Sequence, residues 1–201
     1  MPLVRVSPLD TTVTAPVPSA SAEAHSAHVP PASNATDTAH APRASYPSAL
    51  DDLADLRAFL AAADLTLAGL DAPSPRTHLW LDRDLTGAIV GSTGYELSAD
   101  GAHALIRSVA VAATGRTRGA GSRLARHAFT EAAASGAQHA WLFSRRSGPF
   151  WQKLGFAPAD RDALAAALPD THQVQLFRTT GQLSREVGWS RPLAGLLPPP
   201  A

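Results

Sequence analysis

The 201-residue chain contains no cysteine, which removes disulfide bridges, thiolate-held zinc and a cysteine nucleophile together. That absence fits a reducing, cytoplasmic setting. There is no excess of charge either, since 17 basic side chains balance 17 acidic ones. A neutral chain has no global field to gather nucleic acid or anionic lipid, so any anion must be held by a local site. No apolar run approaches the ~20 residues of a membrane span, and the N-terminus lacks the apolar core of a secretory signal. Neither nucleic acid nor membrane is therefore expected as a partner. Lysine is almost absent, with Lys153 against sixteen arginines.

Proline is plentiful but uneven. Eight of the seventeen fall in the first 47 residues, a stretch rich in Ala, Ser and Thr with no Phe or Trp. Such a segment buries too little apolar area to offset its conformational entropy, so residues 1–47 are expected to be a disordered tail. Its removal should leave the thermal midpoint nearly unaltered. His25, His28 and His40 lie there at loose spacing without other ligand types, so no metal site is expected. Residues 194–201 form a second tail, leaving 48–193 as one domain.

Ser48 is a good N-cap with Asp51 three residues on, and Leu50, Leu53, Leu56, Phe59 and Leu60 recur at helical spacing. After Pro75 the period becomes two, and 77–81, 87–97 and 104–111 read as an antiparallel meander. A helix over 119–135 ends at Gly136, followed by a strand at 140–143, a brief helix at 149–154 and a last strand at 185–191. The fold class is α+β, a mixed, mostly antiparallel sheet flanked by helices. The spans 61–77, 144–149 and 168–182 read as loops around an acceptor pocket.

The informative segment is strand, loop, helix. Arg116-Thr117-Arg118-Gly119-Ala120-Gly121-Ser122 opens the long helix, where unpaired N–H groups and the positive dipole end await an anion. Glycines let an anion approach the backbone, and Arg116 and Arg118 add forked cations. The P-loop lysine is absent, and Leu124 stands where a dinucleotide fingerprint needs its third glycine.

These blocks resemble the GCN5-related N-acetyltransferases over nearly all of residues 50–193. Residues 116–121 match that family's coenzyme A pyrophosphate loop, and Val109-Ala110-Val111 match the strand that pairs with the pantetheine arm. Phe150-Trp151-Gln152-Lys153-Leu154-Gly155-Phe156 match its late aromatic block, with Trp151 where many members carry a tyrosine acid. Gly94-Tyr95-Glu96 with Leu105–Val111 is similar to a subgroup found with bacterial arsenic resistance. The resemblance implies an acetyl-CoA-dependent transfer to the amine of a small molecule, an amino-acid-like toxin being one such acceptor, by a monomer or homodimer. The alternative is a silent acyl-CoA-binding module on the same fold.

Glu96, acidic in an apolar strand, is the candidate general base, or else an ordinary carboxylate paired with Arg107. Arg107 is the candidate substrate-carboxylate ligand, or else a structural cation. His103, His127, His139 and His172 have no acidic partner at a telling spacing and read as surface or core.

Overall fold

The computed structural model describes residues 3–6, 49–72, 74–113 and 117–195. The expected meander forms. β2 (Thr77–Arg83), β3 (Ile89–Leu97) and β4 (His103–Val111) pair antiparallel in sequence order. β5 (His139–Phe143) runs parallel to β4, β7 (Gly188–Pro192) pairs antiparallel with β5, and β6 (Ala157–Ala159) closes that edge. With β1 (Val4–Val6) on the opposite edge, seven strands run in the order β1-β2-β3-β4-β5-β7-β6.

The pleat sorts side chains into two layers. Leu79 stands opposite Gly94, which stands opposite Arg107, so these positions share one face. α1 (Ala49–Ala62) covers that face by packing Leu56 and Leu60 on Leu70, Leu79 and Leu81. Beside it Leu105 packs with Leu164 of α4 (Arg161–Ala167), Leu168 at its C-cap and Val174 of α5 (His172–Thr179), while α3 (Gly148–Gln152) is the brief helix that follows β5. The other face takes α2 (Ala120–Ala134), whose Ala125, Ala128, Phe129 and Ala132 meet Trp80, Tyr95 and Ile106. Small alanines let that helix lie close to the sheet. It ends where Gly136, at φ 98°, donates to Ala133 O while Ala137 N–H reaches Ala132 O, a pairing that needs the left-handed conformation.

Several expectations need correction. Residues 1–47 are not a tail throughout, because Val4–Val6 pair with Leu79–Leu81 and Leu3 packs against the core. Ser48, the three tail histidines and residues 196–201 lie outside the described residues. The span 168–182 is not a loop: Thr171 and the helix α5 occupy its centre, with the buried Val174 and Phe177 anchoring it. β6 and α4 escaped the periodicity because one is three residues long with Pro158 at its middle and the other spans only seven residues, four of them alanine and Leu164 the one large apolar side chain.

The site-forming feature is a splay. β4 and β5 are in register only where His103–Leu105 meet His139–Trp141. Beyond that the strands diverge, leaving the outer half of β4 without a partner on that side. β4 also carries a bulge: Ser92 faces Ala110 and Gly94 faces Arg107, so Ser108 and Val109 have no register partners. Ser108 there adopts φ 56°, a left-handed conformation rare for a residue with a Cβ.

Removing residues 1–6 should expose the edge of β2 and lose the Leu3 contact. A cost of about 1–2 kcal/mol would lower Tm by roughly 2–8 °C in a scanning calorimeter, whereas an unchanged Tm would show β1 to be idle. On the α2 face, burial lowers the pKa of His78, beside Arg5, Tyr95 and Glu131, and of His127, beside Trp80, Glu131 and Arg123. Histidines held neutral bind protons less readily than in the unfolded chain, so their contribution is full above the ordinary value of 6.5 and falls as pH drops below it. Urea midpoints taken between pH 7.5 and 5.5 should decline, and less so in His127→Phe.

Candidate active site

Two adjoining cavities open at the splay. One, of about 560 Å³, is walled by the α1–β2 connection (63–67), by Ile106–Val109 of β4, by Leu142–Ser147 from the end of β5 onward, and by Trp151, α5 and Glu186. The other, of about 590 Å³, runs along Val109–Ala113 and the end of α1. Ala63, Leu65, Val109 and Ser147 line both, so a ligand lying in one can reach the other.

Val109, Ala110 and Val111, expected to hold a cofactor, line the second cavity together. Arg116 lies outside the described residues, while Thr117, Arg118 and Gly119 are exposed at the start of α2. Gly119 is its N-cap, with φ 87° and no side chain to cap the first turn. Nothing lies within 4 Å of a Cβ built there. Gly121, flanked by Ala120 and Ser122 in that first turn, faces the second cavity's strand: a Cβ on it would lie 3.7 Å from the Phe150 ring and 3.8 Å from Val111. An open helix start beside an unpaired strand edge is an arrangement that suits a long ligand with an anionic end.

Glu96 is placed otherwise than expected. None of its side chain is exposed, and it does not line either cavity. Its Oε2 meets Arg107 Nη1 at 3.4 Å, and its Oε1 lies 2.7 Å from His172 Nδ1. The backbone N–H of His172 donates to both oxygens, so the carboxylate also caps the start of α5. A general base must reach its substrate directly or through one water, and this group is sealed behind protein. Of the two readings open in the sequence, the structure gives the paired carboxylate. Arg107 is corrected likewise: it stands in the wall of the first cavity, but its guanidinium is wholly buried and donates to Ala68 O at 2.5 Å. Burial pushes its pKa down, opposed by Glu96.

Sequence reasoning missed three side chains. His172 belongs with Glu96, a partner 76 positions away that no local spacing reveals. Ser108, read as plain strand, is buried in the first cavity's wall with its Oγ lacking a hydrogen-bond partner among the described residues. Glu186, absorbed into the expected last strand, lines the same wall. Trp151 is buried there and stacks edge-on against Phe156 at 5.4 Å, with no hydroxyl to offer.

A model of the acetyltransferase (GNAT) family matches residues 38–156, more than half of the chain. The chain belongs to the GNAT acetyltransferase family. Acetyl-CoA is the co-substrate of that family. The orphaned Ser108 hydroxyl, the unpaired β4 edge and the open start of α2 suit such a donor. Among solved structures, the acetyltransferase is similar to N-acetylglutamate synthase from Neisseria gonorrhoeae, determined with coenzyme A and N-acetyl-glutamate, at 20% identity and TM-score 0.53 over 75% of this chain. It spans about a third of that protein, 34%. It is also similar to a GNAT acetyltransferase from Staphylococcus aureus Mu50, at 14% identity and TM-score 0.55 over 74% of this chain and 96% of that one. Rv2747 from Mycobacterium tuberculosis, determined with CoA, aligns at 15% identity and TM-score 0.56 over 71% of this chain and 94% of that one. At such identities the likeness is one of fold. No curated protein matches the chain. Among the described residues no helix is long and apolar enough to cross a membrane.

Glu96→Gln should leave the buried Arg107 without its counter-charge and loosen α5. Breaking a buried pair from one side costs about 3–5 kcal/mol, to be read by urea unfolding at neutral pH. A loss below about 1 kcal/mol would show that the pair is not structural.

Proposed function

We propose that this acetyltransferase moves an acetyl group from acetyl-CoA to the amine of a small molecule. The observation that carries the reading is the pair of cavities meeting at the bulge of β4. The second cavity takes the pantetheine arm along Val109, Ala110 and Val111, and the pyrophosphate lies at Thr117–Ser122, with the arginines at 116 and 118 as its cations. Bound there, the co-substrate supplies a thioester carbon to the junction. The unpaired backbone of Ser108 and Val109 is suited to donate to its carbonyl oxygen, where developing negative charge is best stabilised. The first cavity, enclosed by the α1–β2 connection and α5, takes the acceptor. An amino-acid-like toxin, as in the arsenic-resistance subgroup, is one candidate acceptor.

A second reading, a silent acyl-CoA-binding module, draws support from Trp151, which has no proton to give the departing sulfur. A thiol of pKa near 8.5 is a tolerable leaving group without one, so turnover is expected. Purified protein should bind CoA and release free thiol when given acetyl-CoA with a suitable member of an amine panel. Binding without turnover across the panel would favour the silent module, and absence of CoA binding would sink both. Gly121→Trp, filling the space before Phe150 and Val111, should weaken CoA binding at least tenfold, about 1.4 kcal/mol by calorimetric titration. Undiminished affinity would remove the helix start from the site.

A further inference from the structure

The acceptor cavity contains three arginines, Arg107, Arg145 and Arg146, and only two carboxylates, Asp64 and Glu186. The carboxylates differ in kind. Asp64 is 80% exposed at the rim and is bonded to Arg146 at 2.6 Å. Glu186 has a side chain only 6% exposed, held where the short 3-10 turn Gln182–Arg185 delivers it to β7. Its neighbour Val187 fixes that position through a carbonyl that accepts from Ser144 N–H.

The contacts of Glu186 are one-sided. Gln182 Nε2 donates to Oε1 at 2.8 Å, and Arg145 Nε lies 3.5 Å from the same Oε1. Oε2 has no partner among the described residues, and it is not among the buried atoms cut off from solvent and partners. A carboxylate in a cavity wall with one oxygen uncommitted and open to solvent can accept from a cation or donor that enters the cavity. The cavity is where such a cation would come from.

Resting on the acyl-transfer reading above, we infer that Glu186 receives the ammonium group of the acceptor on Oε2 and takes the proton that this nitrogen must lose before it can attack. One proton passes from the ammonium nitrogen to the carboxylate, the nitrogen keeps its electron pair as a neutral amine, and the protonated Glu186 later returns the proton to solvent. Glu186 thereby fills the role that the sealed Glu96 cannot. Gln182 orients the carboxylate by holding Oε1. The half-exposed Arg145, 3.5 Å from Oε1, lies on the side of the carboxylate that Gln182 also holds and leaves Oε2 to the cavity.

The test uses the full chain and the best acceptor from a panel of α-amino acids, aliphatic diamines and arylalkylamines. Glu186→Gln should raise the KM for the amine at least tenfold and abolish the acid limb of the kcat/KM profile, with CoA affinity and thermal midpoint unchanged. Glu186→Asp should restore part of the loss. On the unaltered protein, an analogue bearing an ammonium should inhibit at least tenfold more strongly than the alcohol of the same shape, which gives a reading even if the variants fold poorly. A wild-type KM and pH profile in Glu186→Gln, or equal inhibition by ammonium and alcohol, would overturn the assignment while leaving acyl transfer intact. If the unaltered protein acetylates no amine in the panel, the acyl-transfer reading fails and this inference fails with it.

Discussion

The walls of the first cavity hang on one buried ion pair. Glu96 on β3 and Arg107 on β4 face each other at 3.4 Å with neither side chain reaching solvent. Each charge also bonds to a different wall. Glu96 takes the backbone and ring N–H of His172 and so fixes where α5 begins, while Arg107 takes the carbonyl of Ala68 and so fixes the α1–β2 connection. Two segments far apart in sequence are thus referred to the same point of the sheet. Neither charge can leave without stranding the other in a low dielectric, which ties the shape of the cavity to the integrity of the pair.

The same pair explains what could and could not be read from the chain. The meander and α2 were legible because period-two alternation and a small-residue helical stripe are local patterns, closed by Gly136. The glycine-rich start of α2 is local in the same way, Gly119 standing at the helix N-cap where the sequence pattern turns helical. Glu96 stands out in the chain as an acid in an apolar strand, yet its partner is His172, and the two meet only when α5 folds back across the sheet. Glu186 was hidden for another reason. The expected strand at 185–191 starts three residues early, and within a strand its side chain had no assigned surroundings, whereas the observed 3-10 turn sets it into the wall. β1 carries too few residues for any period to show.

The bulge on β4 connects the two halves of the site. A regular β4 would pair fully with β3 and keep its alternation, whereas the extra residue at Ser108–Val109 turns Val109 to line both cavities and strands the hydroxyl of Ser108. Left-handed backbone at a serine costs of order 1 kcal/mol or more, and it persists because Ser92 Oγ holds the Ser108 carbonyl at 2.7 Å. Strain here is located at the meeting point of the two cavities.

The docking of β1 gives the proline-rich segment a topology. Residues 7–48 join a strand on the sheet's edge to the first helix, so both ends of this 42-residue stretch are anchored on the folded body. For any connection whose two ends are fixed, the closure cost grows only slowly with length, about 0.6 kcal/mol per doubling. The pairing of β1 therefore depends little on how long the connection is, but it does depend on its continuity. A single cut within it would turn the pairing of β1 from an intramolecular event at high effective concentration into a bimolecular one, and the first strand would be lost on dilution.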